Sequence, residues 1–436
     1  MLAIPAVRLV GRVRKCLQIR RYGAGLRYAM SILSNADRWA DMVEILGLAV
    51  DADIRRSRCR RVTAFVTGEG QLDRRAVRYI PVVVKMNAQP YGLAVTVIIA
   101  PGQSRDDWIR RSRQLSAALR VERVVVVEPR PGVVELQLRV RDPLRALTVL
   151  SEPLIADGWR LPLGVDERGV LVAGACRNVS GVVVGGVPGG GKSAWLSMAL
   201  ASLARREDVQ WLLIDGKQGY DLEPLASRAY RYISGDEAGD LEVVKGALQD
   251  VQELMRCRLR CSRDLFGESN LWSAGPSTTH PVVVVVIDEC QTYLDGKSFP
   301  TRETKATGAE IDSIVRDLVK RGRSAGIIVI LSTQRPTADS IPTSTRDNCG
   351  LRVCFSVRTR EAAAAVLGEF STESDISPIG APTGVGVSSV DGVEVRFRAP
   401  YVPDPVLRRH LKETAHLVSN PLELLSRALM DLASAN

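Results

Sequence analysis

The chain has 436 residues, a formal charge of +10, 45% apolar residues and 25% charged residues, the profile of a soluble globular protein with two or three domains. No run of roughly 18 apolar residues is present, which excludes a membrane-spanning helix by sequence; Gly92 to Ala100 comes nearest. No internal repeat or low-complexity segment is visible.

The N-terminus, MLAIPAVRLVGRVRK, places its apolar stretch before its charges. That is the wrong order for a secretory signal, so the expected location is the cytosol, with peripheral attachment to the inner face of the membrane through an anchored partner left open. Charge is unevenly placed. Residues 1–150 hold 27 Lys and Arg against 13 Asp and Glu, a balance of +14, which leaves −4 for the rest. A basic stretch of this kind points to a polyanion, and nucleic acid is favoured because no amphipathic pattern suits a membrane surface. An arginine-rich surface that reflects genomic base composition is the plainer alternative. Of the eight cysteines, Cys257 and Cys261 are spaced to share one helix face. No second pair or nearby histidine completes four ligands, so reduced thiols are expected.

In chain order, residues 1–61 read as a basic helical segment. Tyr22 to Leu48 has helical spacing and RRSRCRR (Arg55 to Arg61) follows; the whole block is either a DNA-contacting arm or a solvated linker. Residues 62–150 read as a small α+β domain: strand-like TAFV, IPVVVKM, GLAVTVIIA, RVVVVE and VVELQLRV around one helix from Asp106 to Leu119. Pro143, Pro153, Gly158 and Pro162 mark a hinge. Residues 151–401 change to an α/β pattern. GVVVGG, WLLID, VVVVVID and IIVILST are apolar without alternation, as strands of a parallel sheet covered on both faces are. Residues 402–436 read as an amphipathic helical tail.

Gly186-Val187-Pro188-Gly189-Gly190-Gly191-Lys192-Ser193 fits G-x-x-x-x-G-K-[ST] at every position. Glycines allow the backbone to wrap tightly and aim amides at phosphates. Lys192 adds a point charge for the β- and γ-phosphates, and the Ser193 hydroxyl suits Mg²⁺. The expected strand Val182 to Val184 leads in. The expected helix Ala194 to Ala204 leads out with its positive end toward the same anion. The site therefore calls for ATP and Mg²⁺.

The apolar run Val282 to Ile287 ends in Asp288-Glu289. Two acids after a buried strand are costly unless they serve an ion or ligand. Asp288 is placed to hold Mg²⁺ through water, and Glu289 to act as general base on the attacking water. A second strand, Val209 to Ile214, ends in Asp215-Gly216-Lys217, a charged turn or a further site element. A third brings Thr333, Gln334 and Arg335 to its end. Open α/β sheets put their sites at the carboxyl ends of strands, so these groups should converge, with Gln334 toward the γ-phosphate or its attacking water.

RGRSAGIIVILSTQRPTADSIP, with GGVPGGGKS and VVVVVIDE, resembles the FtsK/SpoIIIE family of DNA translocases, and most strongly the Tra-type transfer proteins of actinobacterial plasmids and integrative elements. WLLIDGKQGYDLEPL, LMRCRLRCSRDLFGESNLW and the upstream IIAPGQSRDDWIRRSRQLSAALRVERVVVVEPRPGVVELQLRV agree in order. The resemblance covers roughly residues 80–400. It implies a RecA-like motor that works on double-stranded DNA as a homo-oligomer, a hexameric ring, with ATP between subunits. It also implies Arg323 as an arginine acting on the neighbour's nucleotide, and Arg335 and Arg360 as DNA contacts in the pore. Solvated surface charge is the competing account of all three. Two family features, membrane-spanning helices and a C-terminal winged helix, have no recognisable counterpart in the sequence.

The expected function is thus ATP-driven translocation of DNA, in transfer of a mobile element or in chromosome segregation. An ATPase of a protein secretion system and a nucleotide-binding regulator with weak hydrolysis are the alternatives. A single ATPase module and the basic residues 1–150 argue against the former, and the intact Lys192, Ser193, Asp288 and Glu289 against the latter.

Overall fold

A computed structural model of the chain describes residues 23–55, 74–217, 221–295, 299–337, 340–368 and 376–435. The chain divides into two units, Met1–Pro143 and Leu144–Asn436.

In the first unit, helices Gly23–Leu33 and Ala36–Ile45 are separated at Asn35, whose side chain accepts from the amides of Asp37 and Arg38 and so caps the second helix. Strand β1 (Val50–Arg55) pairs antiparallel with β2 (Arg74–Tyr79). Strands β3 (Val82–Gln89), β4 (Gly92–Ile98), β5 (Arg123–Arg130) and β6 (Val133–Arg139) form an antiparallel sheet in the order β3-β4-β6-β5. Alternation decides the buried face: Leu93, Val95 and Val97 of β4, Val134, Leu136 and Leu138 of β6, and Val124 and Val126 of β5 share one core. Leu26, Trp39, Trp108 and Leu115 from the helices complete it.

Three expectations change here. Residues 23–45 are not part of a separate basic segment, because Leu26, Ala29, Trp39 and Val43 are needed to cover the sheet. Within that segment Val50–Arg55 is a strand, β1, and not helix. The single helix Asp106 to Leu119 is two, Arg105–Arg110 and Ser112–Leu119, broken at Arg111, whose backbone (φ −97°, ψ 1°) leaves the helical region. TAFV and residues 56–61 of the RRSRCRR run lie outside the described residues.

The second unit is built on a ten-stranded sheet. Its strands are β7 (Arg160–Asp166), β8 (Leu171–Ala175), β9 (Gly181–Gly185), β10 (Val209–Asp215), β11 (Arg231–Ser234), β12 (Val282–Asp288), β13 (Ile327–Thr333), β14 (Leu351–Cys354), β15 (Val385–Val390) and β16 (Val393–Arg398). The order is β11-β10-β12-β13-β9-β14-β15-β16-β7-β8. It is parallel from β11 through β14 and antiparallel from there to β8. Every residue of β9, β10, β12 and β13 is buried. On one face Val283, Val285, Val329 and Leu331 meet the helices Ala238–Arg260 and Arg302–Ala325. On the other, Val282, Val284, Ile328 and Ile330 meet Lys192–Ala201 and Asp404–Thr414. The C-terminal segment is helical, Asp404–Thr414 and Pro421–Ala435, and packs into this unit: Leu407 and Leu411 belong to one core and Leu425 to the other.

Candidate active site

The order of the parallel strands positions the site. β13 lies between the strand that leads into the glycine-rich loop, β9, and the strand that carries the acids, β12. All three end at the same edge: Gly185 pairs with Thr333, and Ile287, just before Asp288, with Leu331. Loop, carboxylates and Gln334 are therefore neighbours although far apart in sequence.

The loop closes on itself through a bond from the Gly190 amide to the Val187 carbonyl (2.9 Å) and enters the helix Lys192–Ala201 at Gly191. Gly191 has φ +109°, and a Cβ there would stand 2.8 Å from the Gly384 Cα, so conformation and space both require glycine. Trp195 donates the first backbone bond of this helix, to the Gly191 carbonyl (3.0 Å). The amides of Lys192, Ser193 and Ala194 precede it, a helix start of the kind that suits an anion.

Lys192 is 3% exposed and its ammonium donates to Asp288 Oδ1 (2.5 Å), Ser332 Oγ (3.0 Å) and Glu289 Oε1 (3.3 Å). Burial works against that charge, but the two carboxylates outweigh it and hold the lysine above its usual range. Glu289 is also buried and sits at φ +49°, a left-handed backbone that is uncommon for a residue with a side chain. Its Oε2 accepts from Gln291 Nε2 (2.6 Å) and from the Gln334 amide (3.1 Å). Gln291 is in turn held by Thr333 Oγ1 at 2.7 Å. The acid next to the loop is thus fixed by the end of β13.

Asp215 stands beside Asp288 in register and is fully buried. Its Oδ1 accepts from the Lys217 amide at 3.1 Å. Burial pushes its carboxyl up from the usual aspartate range. Asp215 Oδ2 and Asp288 Oδ2 are both buried with no hydrogen-bond partner. Ser193 Oγ donates to Asp221 Oδ2 (3.2 Å). Orphaned carboxylate oxygens beside a hydroxyl and a helix start fit a hydrated divalent cation that travels with phosphates. Among the described residues there is no cluster of three acids, histidines or cysteines that would form an all-protein cage.

A cavity of about 350 Å³ runs over the loop from Val187 to Ala194, past Gln334, to Leu147, Thr383, Gly384, Arg398, Ala399, Pro400 and Tyr401. Sequence reasoning missed these last seven, together with Ser332, Asp221 and Gln291. Ser332 and Gln291 adjoin recognised motifs and were within reach, but the far wall comes from separate segments that carry no motif. Arg335 is exposed just past β13, with its amide bonded to Thr333 Oγ1 (3.0 Å), and Arg360 is exposed at the start of the helix Arg360–Leu367. Arg323 does not join this constellation. It is exposed in the last turn of Arg302–Ala325, which precedes β13, and so lies at the amino edge of the sheet. No helix among the described residues is long and apolar enough to cross a membrane.

Residues 23–140 match the family model of the actinomycete conjugal transfer protein N-terminal domain. Transfer protein TraSA of Streptomyces ambofaciens is 28% identical over 380 residues, covering 84% of this chain and 87% of TraSA. DNA translocase FtsK of Vibrio parahaemolyticus is 24% identical over 358 residues, 70% of this chain but only 34% of FtsK, so this chain spans about a third of that relative. Among solved structures, the pCW3 conjugation coupling protein TcpA with ATPγS aligns at a TM-score of 0.51 and 17% identity, covering 77% of this chain and 94% of TcpA. That likeness establishes a shared fold. The loop-and-carboxylate site and these relatives agree with the resemblance read from the motifs: the chain is related to the FtsK/SpoIIIE-type translocases and to the actinobacterial Tra-type transfer proteins.

Proposed function

We propose that the chain is a P-loop ATPase that drives translocation of double-stranded DNA, in transfer of a mobile element between cells or in chromosome segregation. The observation that carries this reading is the buried contact of Lys192 with Asp288 and Glu289 behind a glycine-rich loop. A lysine that bridges two buried acids has an alternative partner in a triphosphate. The loop amides and the start of Lys192–Ala201 would take the phosphates, and Lys192 would turn from the acids toward them. Ser193 and, through water, Asp288 would hold Mg²⁺, which when bound offsets charge on the phosphate oxygens. Glu289, released from Lys192, would accept a proton from the attacking water, and Gln334 would help to orient that water.

DNA as the substrate is supported by the relatives' names, by the transfer-protein domain over residues 23–140 and by the +14 balance of residues 1–150. A homo-oligomeric ring, a hexamer, is proposed with Arg323 of one subunit reaching the nucleotide of the next. Its exposure and its place at the sheet edge away from its own loop support that role. Arg335 and Arg360, both exposed, are proposed to face DNA. A cytoplasmic position with a membrane-anchored partner completes the proposal. The test is the ATPase rate of the full chain with and without linear duplex DNA. Strong stimulation is expected, and a rate indifferent to DNA would remove DNA as the substrate.

A further inference from the structure

The cavity over the glycine-rich loop has two chemically different ends. One is the loop itself, which is polar. The other is a wall made of Leu147, Pro400 and Tyr401, in which Leu147 is 53% and Tyr401 38% exposed. An aliphatic and an aromatic side chain left open beside a phosphate cradle suit the one flat, poorly hydrated part of a nucleoside triphosphate, its base. We propose that Leu147 and Tyr401 form the base-binding subsite, with the Tyr401 ring stacked on the base and Leu147 closing its edge. This rests on the reading of the loop as a nucleotide site and extends it to residues that no motif marks.

The wall is built, not incidental. The Tyr401 amide donates to the Thr148 carbonyl (2.9 Å) and the Leu150 amide to the Tyr401 carbonyl (2.8 Å), which makes a parallel bridge between Val149 and Tyr401. Arg398 Nη1 donates to the Leu144 carbonyl (2.6 Å) and so ties the same two segments once more. The wall is also joined to the loop: the Ala399 amide bonds to the Gly384 carbonyl (2.8 Å), and the Gly384 amide to the Gly190 carbonyl (2.8 Å). Backbone bonds therefore set the spacing between phosphate cradle and aromatic wall, while the two side chains stay available to a ligand. Because those bonds are all main-chain or come from Arg398, trimming Tyr401 or Leu147 removes surface without dismantling the frame.

Stacking recognises a base and ignores phosphate, so the experiment compares ATP with inorganic tripolyphosphate on the full-length chain, each measured by competition against a fluorescent ATP analogue. Tyr401→Ala should weaken ATP about tenfold and leave tripolyphosphate unchanged. Tyr401→Phe should bind ATP as the natural protein does, because the ring and not the hydroxyl makes the contact. Leu147→Ala should act in the same direction as Tyr401→Ala but less. Unaltered ATP affinity in Tyr401→Ala would overturn the subsite. So would an equal loss of both ligands, which would mark a structural effect. If the natural protein bound neither ATP nor tripolyphosphate, the nucleotide reading of the loop would fall first and the subsite with it.

Discussion

Glu289 combines burial, a left-handed backbone and three contacts that leave its carboxylate little freedom. Such a conformation costs on the order of 1 kcal/mol or more and persists only where the surroundings hold it. A Glu289→Gln side chain fits the same space but takes no proton. It should bind ATP normally and hydrolyse it at least about a hundredfold more slowly; turnover near the natural rate would show that another group is the base. Lys192→Ala has a second consequence besides lost nucleotide binding. It leaves Asp288 and Glu289 buried without their cation, a situation that costs about 3 kcal/mol or more. Thermal unfolding of the nucleotide-free protein should therefore show a midpoint lowered by several degrees. An unchanged midpoint would mean that the contact contributes nothing to the fold.

Among the helices, the one that follows the glycine-rich loop is held at its far end by a buried arginine. Arg228, fully buried, donates from Nε to the Ala204 carbonyl (3.0 Å) and from Nη2 to those of Arg206 (2.8 Å) and Val209 (3.1 Å). Burial pushes it down to about 10, still well above neutrality. A cation just past a helix C-terminus also complements the dipole. Arg228→Met keeps much of the volume but strands three carbonyls, and should cost about 2 kcal/mol in chemical denaturation while ATP affinity stays close to normal. Loss of ATP binding with stability intact would contradict this structural role. The long helix Arg302–Ala325 is anchored in a comparable way: Trp272 Nε1 donates to the Arg323 carbonyl (2.7 Å) and Arg258 Nη1 to that of Ala325 (2.9 Å). Its last turn is therefore fixed while the Arg323 side chain remains exposed.

At the scale of the whole molecule, β13 spans seven residues, about 20 Å, between the edge where Arg323 sits and the edge where Lys192 sits. Arg323→Ala should then bind ATP at its own site yet hydrolyse little in a homogeneous assembly. Mixed with Lys192→Ala, it should recover part of the DNA-stimulated rate, because some interfaces would pair an intact Lys192 with a neighbour's intact Arg323. An Arg323→Ala protein with an unchanged rate, at concentrations where the assembly forms, would remove the arginine from the mechanism. The basic charge of residues 1–150 makes a separate prediction. DNA affinity should fall steeply as salt rises, through release of counterions, with little preference for sequence. Filter binding across a salt series would check it, and a flat response would show that phosphate charge is not what is recognised.

Contiguous chemistry was readable from the sequence alone. The loop Gly186 to Ser193 and the pair Asp288-Glu289 are short runs that their spacing alone marks as candidates, and the unbroken apolar strands announced a sheet covered on both sides. Tertiary structure decided what depends on which segments become neighbours. Placing β13 between β9 and β12 brings Ser332 to Lys192 and the Gln334 amide to Glu289, and periodicity says nothing about strand order. Likewise Leu26 and Trp39 fall within Tyr22 to Leu48, whose spacing reads as helical, and only the sheet they cover assigns them to the first unit. The same holds for Leu147 and Tyr401, which lie more than half the chain apart and meet because backbone bonds join their segments beside the loop. Local spacing encodes local structure; contact between distant segments is set by how complete elements pack, where many residues share the decision and none carries a motif.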